Sequence, residues 1–203
     1  MISLFWGLWQ YLFSKAEVHL LIIGLDYAGK TTLLEQLKTM FGKKAGIPLD
    51  KIPPTVGLNI AKVDISRTNV IFWDLGGQER LRAIWSKYYN ESHGVVFVVD
   101  SSDTARFDEA KAALASMLAH PELSDVPVLV LANKSDLDAS MGTAELTARL
   151  ELNRLAEAHP WTLRPISALT TDGIADAVTW FVSAVKQTGR FHTKQSSLST
   201  HVS

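Results

Sequence analysis

Residues 24–31 read GLDYAGKT and lie between the apolar run VHLLII at 18–23 and leucines at 33, 34 and 37. This is the spacing of a phosphate-binding loop, in which a strand ends in glycines before a helix and backbone N–H groups converge on phosphate oxygens. Lys30 would reach the β- and γ-phosphates, and the Thr31 hydroxyl would bind Mg²⁺. Glycines at 24 and 29 let the backbone approach the phosphates closely. The alternative is a plain glycine turn between a strand and a helix.

The whole chain has 203 residues, of which 47% are hydrophobic, and a formal net charge of −1. Length and composition predict one folded domain with a full core. The net charge gives no general attraction to nucleic acid, so we expect no nucleic-acid partner. The sequence contains no cysteine, which excludes disulfides, thiolate metal sites, prenylation and palmitoylation and fits a cytosolic setting. The histidines are scattered without the spacing of metal ligands.

Alternating apolar runs and helical spacings predict the fold. Strands are predicted at 18–23, 58–65, 69–74, 94–99, 126–132 and 161–166, with helices at 30–41, 104–119, 143–158 and 173–187. This alternation predicts a three-layer α/β fold with a mainly parallel, six-stranded sheet and one antiparallel edge hairpin, formed by 58–65 and 69–74. Ligands of such sheets bind at the carboxyl ends of the strands, where the motifs below also fall.

Two further motifs follow predicted strands. In WDLGGQE at 73–79, Asp74 ends a strand and could hold a water of the Mg²⁺ shell, and Gly77 could bring an N–H to the γ-phosphate. In NKSD at 133–136, the carboxylate of Asp136 could accept hydrogen bonds from guanine N1–H and its exocyclic amine, whereas adenine has no donor at either place. Each motif alone also fits an ordinary surface turn.

The two ends of the chain differ from its middle. Residues 1–15 are too short to span a bilayer, but on a helix they form one broad apolar face. The residues of that face are Ile2, Phe5, Trp6, Trp9, Leu12 and Phe13. The helix could pack permanently on its own domain or exchange between a pocket and a membrane. Residues 188–203 are polar and without periodicity, which predicts a disordered tail.

Five short motifs occur in order along the chain: GLDYAGKTT, PTVG, WDLGGQE, NKSD and SAL, at 24–32, 54–57, 73–79, 133–136 and 167–169. Together they resemble the guanine-nucleotide motifs of the Arf family of small GTPases, over residues 18–187. The resemblance implies a phosphate-loop GTPase fold, GTP or GDP and Mg²⁺ as cofactors, and a slow hydrolysis of GTP that depends on an activating protein. The expected organisation is an amphipathic helix at 1–15, a GTPase domain at 16–187 and a disordered tail at 188–203.

The same resemblance implies roles for individual residues. The nucleotide would be bound by Gly24, Asp26, Ala28, Gly29, Lys30, Thr31, Thr32, Thr55, Gly77, Asn133, Lys134, Asp136, Ser167, Ala168 and Leu169. Ala168 would give its backbone N–H to the guanine carbonyl. Thr31 and Thr55 would bind Mg²⁺, with Asp74 acting through a water. Gln78 would position the attacking water.

Partners and location are also implied by the resemblance. Leu58, Trp73 and Tyr88 match an exposed hydrophobic triad to which effectors of the family bind. An exchange factor and an activating protein are expected, together with Golgi effectors. The chain would be a monomer that cycles between GDP and GTP forms, moves between the cytosol and the trans-Golgi membrane, and recruits effectors in vesicle trafficking. Position 2 is isoleucine, so N-myristoylation is excluded and a second anchor is expected, an integral membrane protein.

Three alternatives stay open at this point. An ATPase is disfavoured by Asp136. A nucleotide-locked, membrane-recruited binding module with little or no hydrolysis is weakened by the presence of Lys30, Thr31, Thr55 and Gln78. The membrane-anchored β-subunit of a translocation receptor shares parts of the pattern, but its anchor would need a longer apolar run than residues 1–13.

Overall fold

The computed structural model describes residues 16–42 and 46–193. The strands are β1 (Glu17–Ile23), β2 (Leu58–Ile65), β3 (Thr68–Leu75), β4 (Gly94–Asp100), β5 (Val128–Asn133) and β6 (Trp161–Pro165). The α-helices are α1 (Lys30–Phe41), α2 (Phe107–Leu118), α3 (Thr143–Arg149), α4 (Leu152–Leu155) and α5 (Ile174–Lys186). Short 3₁₀ helices lie at Leu49–Lys51, Glu79–Tyr88, Thr104–Arg106 and Pro121–Leu123.

The strands form one sheet in the order β2-β3-β1-β4-β5-β6. β2 and β3 are antiparallel and the other neighbouring strands are parallel. Ser66 and Arg67, both with positive φ, form the turn between β2 and β3, and β3 begins at Thr68, one residue earlier than predicted. The predicted mainly parallel, six-stranded sheet with an antiparallel edge hairpin is confirmed.

Each face of the sheet is covered by helices. Leu33, Leu34 and Leu37 of α1 pack with α5 on one face. On the other face, α2 buries Phe107, Ala110, Leu114, Met117 and Leu118 with α3 and α4. Met40 shares the helical spacing of the α1 leucines but is 37% exposed, because spacing selects a face of a helix whereas burial also needs a packing partner. In the described ranges, no helix is long and apolar enough to cross a bilayer.

The predicted helix at 143–158 is wrong as one continuous element. It is divided into α3 and α4 at Glu151, which adopts a left-handed conformation with φ 51°. Leu150 and Leu152 are both fully buried. Two residues that are two positions apart point about 200° apart around a helix axis, so an unbroken helix could not bury both.

The segment after α5 also differs from the expected disordered tail. Residues 189–193 are helical, and Phe191 is 5% exposed in the core beside α5. Arg190 donates hydrogen bonds to the carbonyl oxygens of Ser92 (2.8 Å), Tyr89 (2.7 Å) and Glu122 (2.8 Å). The polar composition predicted disorder, but the burial of Phe191 and the hydrogen bonds of Arg190 hold residues 189–193 against the domain. Residues 194–203 lie outside the described ranges.

Replacing Phe191 by Ala should lower the free energy of unfolding by about 3 kcal/mol, because it leaves a cavity in the core. Urea denaturation at a constant GDP concentration measures this loss. The control is Trp180→Ala, since the Trp180 side chain is 45% exposed; it should cost less than about 1 kcal/mol. Equal costs for the two variants would contradict the docking of residues 189–193.

Candidate functional site: a phosphate-binding loop between three strand ends

The loop between β1 and α1 is tightly enclosed by its neighbours. Gly24 has φ +143°, and a Cβ there would lie 2.2 Å from the carbonyl oxygen of Val98. Gly29 has φ +91°, and its Cβ would lie 2.2 Å from Nδ2 of Asn133. A side chain at either place would meet both a strained backbone and a steric clash. The loop therefore has the shape of a phosphate cradle at the amino end of α1.

Lys30, the first residue of α1, carries a buried charge. It is 6% exposed, and its Nζ donates to the carbonyl oxygen of Leu25 at 2.6 Å. Burial lowers the pKa of Lys30 to about 8, and the nearby carboxylates of Asp74 and Asp26 oppose that shift. A bound phosphate would favour the charged form of this side chain. Lys30 is thus placed to stabilise an anion in the cradle.

Three oxygen-bearing side chains from separate elements meet beside Lys30. The hydroxyl of Thr31 lies 2.6 Å from that of Thr55 and 2.8 Å from Oδ2 of Asp74. Thr55, in the loop before β2, also donates to Oδ2 of Asp74 at 3.3 Å. The predicted cation-binding residues are therefore brought together.

The donor set fits Mg²⁺. Oxygens at right angles on one Mg²⁺ are about 2.9 Å apart, close to the distances seen here. Oδ1 of Asp74 is buried with no hydrogen-bond partner among the described residues, and burial raises the pKa of this carboxyl while the Thr31 hydroxyl opposes the shift. No group of three or more His, Cys, Asp or Glu suited to a metal occurs in residues 16–42 and 46–193. Thr31 and Thr55 would hold Mg²⁺ directly, and it would supply positive charge at the terminal phosphates.

A cavity of about 320 Å³ lies over the cradle. Its lining includes Lys30, Thr31, Thr32, Thr55, Gly77, Gln78 and Lys134. Gly77 packs so closely on the loop that a Cβ would lie 2.4 Å from the nitrogen of Asp26. The Gln78 side chain is at the rim, where its Oε1 accepts a hydrogen bond from Nε of Arg80 at 3.2 Å. The predicted catalytic glutamine is therefore one of the residues that line the cavity beside the cradle.

Asn133, at the end of β5, joins two loops. Its Nδ2 donates to the carbonyl oxygen of Ala28 at 2.7 Å, and its Oδ1 accepts from the backbone N–H of Ala168 at 2.9 Å. The N–H of Ala168 therefore has a partner within the protein, and its role as donor to the guanine carbonyl stays a prediction. Lys134 forms an ion pair with Asp100 at 2.5 Å. Asp136 is exposed, so a ligand can reach its carboxylate.

The loop after β6 supplies the remaining predicted residues. Ser167 is buried and accepts a hydrogen bond at its hydroxyl from the backbone N–H of Thr170, so its side chain shapes the loop. Leu169 is 65% exposed. Gln36 of α1 donates to the carbonyl oxygen of Ala168 at 3.0 Å, a tie that the sequence motifs did not indicate.

The predicted hydrophobic triad is only partly exposed. Leu58 is 37% exposed and Tyr88 is half-buried, but Trp73 is 8% exposed, so its prediction as an exposed residue is wrong. The Trp73 ring lies 5.6 Å from the ring of Tyr88 and 4.8 Å from that of His19. Ile60, 49% exposed and opposite Trp73 in the hairpin, contributes apolar surface that the triad omitted. Ile2, Phe5, Trp6, Trp9, Leu12 and Phe13 lie outside the described residues.

An ionic cluster beside the cradle was missed from the sequence. Arg106 contacts Asp26 at 2.7 Å and Glu109 at 2.8 Å, and Glu109 also pairs with Arg82. The i, i+3 spacing of Arg106 and Glu109 was a local signal for one of these pairs. Nothing local indicated the contacts with Asp26 and Arg82, which come from distant parts of the chain.

A cradle of this shape, a buried lysine and a cation site define a phosphate-loop nucleotide-binding protein. Residues 5–185 match the model of the ADP-ribosylation factor (Arf) family. The chain belongs to the Arf family of small GTPases, whose members bind GTP and GDP and hydrolyse GTP to GDP. Guanine-nucleotide exchange factors, GTPase-activating proteins and effectors are the kinds of partner that this family implies.

Individual relatives agree with the family assignment. The chain is 44% identical over 187 residues to ADP-ribosylation factor-related protein 1 of Homo sapiens, covering 91% of this chain and 93% of the relative. It is 43% identical to ADP-ribosylation factor-like protein 3 of Saccharomyces cerevisiae, covering 87% and 89%. Among solved structures, the Arl6 BBS3 small GTPase from Trypanosoma brucei with the bound nucleotide analogue GppNp superposes with a TM-score of 0.75 at 30% identity, covering 84% and 98%.

Replacing Asp136 by Asn should reverse the choice of base. Guanine presents donors to a carboxylate, whereas xanthine presents a carbonyl at the position of the exocyclic amine and can accept from an amide. We expect GDP affinity to fall about 100-fold and xanthosine diphosphate to bind better than GDP. Competition against a fluorescent nucleotide measures both, and Asp138→Asn, a change at a neighbouring exposed carboxylate, should alter neither. Unchanged GDP affinity in Asp136→Asn would remove Asp136 from the site.

Proposed function

We propose that this Arf-family GTPase is a molecular switch that cycles between GDP and GTP forms and, in its GTP form, recruits effectors to Golgi membranes in vesicle trafficking. The observation that carries the proposal is the meeting of Thr55 with Thr31 and Asp74. Thr31 belongs to a helix held rigidly by the core, whereas Thr55 belongs to a connection that leads into the edge hairpin. A ligand that requires both hydroxyls therefore links the position of that connection to the third phosphate.

The edge hairpin extends this link to the surface. The N–H of Gly76, at the end of β3, donates to the carbonyl oxygen of Gly57 at 3.1 Å, so the segment after Thr55 is tied to the strand that carries Asp74. Leu58 and Ile60 follow directly in β2 and expose apolar surface. Binding of an effector to this surface would therefore depend on whether Thr55 lies beside Thr31 and Asp74.

Thr55→Val should weaken binding of a GTP analogue about tenfold in the presence of Mg²⁺ and leave GDP affinity within about twofold, because only the triphosphate state uses this hydroxyl. Thr31→Val is the matched comparison and should weaken both nucleotides. Isothermal titration of the full chain measures the affinities, and phosphate release after adding GTP measures turnover. Equal weakening of both nucleotides by Thr55→Val, or no phosphate release even with an activating protein, would favour a nucleotide-locked binding module.

Membrane association is proposed to depend on residues 1–15 as an amphipathic helix that exchanges between a groove and the bilayer. A groove of about 530 Å³ lies between α1 and β2, with Phe41, Ile47, Ile60 and Val63 in its lining. The carbonyl oxygen of Ala16, the first described residue, accepts a hydrogen bond from Asn69, which also lines the groove. Ala16, to which residues 1–15 are joined, thus lies next to a residue of the groove lining, which supports those residues as the proposed occupant. Because β2 forms one wall, movement of the hairpin would change the groove.

A single weak anchor gives only marginal binding, so the proposal includes a second determinant, an integral membrane protein of the Golgi. The family resemblance supports a distribution between the cytosol and the trans-Golgi membrane. Mg²⁺ dependence of the cycle is supported by the oxygen cluster of Thr31, Thr55 and Asp74.

Vesicle flotation tests the membrane step. A part of the full chain loaded with a GTP analogue should float with phosphatidylcholine vesicles containing anionic lipid, and clearly more of it than of the GDP form, even without the second determinant. Trp9→Glu places a charge on the apolar face and should abolish flotation, whereas Gln10→Glu, on the opposite stripe, should keep most of it. Equal flotation of both nucleotide forms would contradict the exchange, and a tagged chain that shows no overlap with a trans-Golgi marker would contradict the location.

A further inference from the structure

An ionic bridge connects the phosphate-binding loop with the segment that carries Gln78. Arg106 donates from its NH2 group to Oδ1 of Asp26 at 2.7 Å and from NH1 to the Asp26 carbonyl oxygen at 3.1 Å. Its Nε donates to Oε2 of Glu109 at 2.8 Å. Glu109 accepts a second guanidinium, that of Arg82, on Oε1. Arg82 in turn donates from Nε to the carbonyl oxygen of Gly77 at 2.9 Å. The bridge thus runs from the cradle to the residue before Gln78.

The peptide groups Gly76–Gly77 and Gly77–Gln78 are both held by hydrogen bonds to their carbonyl oxygens. The indole Nε1 of Trp85 donates to the carbonyl oxygen of Gly76 at 3.0 Å, and Arg82 holds the carbonyl of Gly77. In a trans peptide the N–H points opposite to the carbonyl. The N–H groups of Gly77 and Gln78 are therefore directed away from Trp85 and Arg82. Since Gly77 also packs against Asp26, the peptide that precedes Gln78 has little freedom to rotate.

The charges in the bridge compensate one another. Hydrogen bonds from Arg106, and then from Arg82, lower the pKa of Glu109 to about 2. The hydrogen bond with Glu109 and the contact with Asp26 raise the pKa of Arg106. Glu109 therefore stays ionised at neutral pH, and it joins two guanidiniums that otherwise would repel. Both guanidiniums are occupied by protein partners, so their charge is used inside the bridge.

We infer that Arg82, Glu109 and Arg106 are positioning residues for GTP hydrolysis, which hold the Gly77–Gln78 peptide against the phosphate-binding loop so that Gln78 can orient the attacking water. The inference rests on the proposed role of Gln78 in this site. A shift of about 1 Å in a positioned group can slow a reaction about 100-fold, so loosening this peptide affects chemistry more than binding. GDP lacks the third phosphate and does not need the peptide in place.

The test is single-turnover hydrolysis of GTP by the full chain, at saturating enzyme, with GDP affinity and the free energy of unfolding measured on the same samples. Glu109→Gln and Arg82→Gln should each slow hydrolysis about fivefold or more and leave GDP affinity within about twofold. Arg82→Lys keeps the charge but loses the guanidinium that reaches Gly77 and Glu109 together, so it should be nearly as slow as Arg82→Gln. In the double variant Arg82→Gln/Arg106→Gln, hydrolysis should be slowed by less than the product of the factors for Arg82→Gln and Arg106→Gln alone. The reason is that both arginines act through Glu109.

Lys111→Gln is the matched control. Lys111 lies on the same helix as Glu109 and forms an ion pair with Glu151, away from the cradle. It should hydrolyse GTP at the original rate. A purely structural role for the bridge would lower stability and GDP affinity along with the rate, and that pattern would overturn the inference.

Gln78→Leu separates the inference from the proposed function. If Gln78→Leu is slow and the bridge variants are also slow with unchanged GDP affinity, the inference is supported. If Gln78→Leu is slow and the bridge variants hydrolyse GTP normally, the inference fails and the role of Gln78 stands. If Gln78→Leu hydrolyses GTP normally, the role of Gln78 fails and the inference fails with it.

Discussion

The close packing of the backbone at residues 24–29 is the constraint on which the site depends. β4 approaches Gly24 through the carbonyl of Val98, β5 approaches Gly29 through Asn133, and Gly77 lies on the backbone of Asp26. These contacts come from three strand ends and leave no space for a Cβ at Gly24 or at Gly29. The cradle is therefore a product of the whole sheet rather than of the loop alone, and it holds its shape as long as the sheet does.

The packing around the cradle differs between its two sides. Lys30 and Thr31 begin a helix whose leucines are fully buried, so the backbone at these residues is anchored to the core. Thr55 and Gln78 lie in connections on either side of the edge hairpin, whose outer strand has no further strand beside it in the described sheet. In the proposed switch, the edge hairpin and Thr55 would be the parts that respond to the nucleotide.

Many features of this protein could be predicted from the sequence because they depend on neighbours along the chain. The spacing of apolar residues in strands and helices, the glycines of the cradle and the order of the motifs can all be recognised from residues that are close in sequence. The failures share one cause, which is that they depend on distant partners. Leu150 and Leu152 both reach the core only because Glu151 turns the chain, Phe191 is buried only because α5 offers it a site, and Trp73 is covered by Tyr88 and His19.

The residue types that guanine-nucleotide chemistry needs can be read from the sequence alone: glycines for close approach, a lysine and threonine for phosphate and cation, and a carboxylate for the base. The contacts that join these residues are visible only in the folded chain. Asn133 connects Ala28 with Ala168, and the bridge of Arg82, Glu109 and Arg106 links parts of the chain that no motif connects. The physical reason is that a hydrogen bond or an ion pair depends on distance in space, which spacing along the chain specifies only inside one helix, strand or turn.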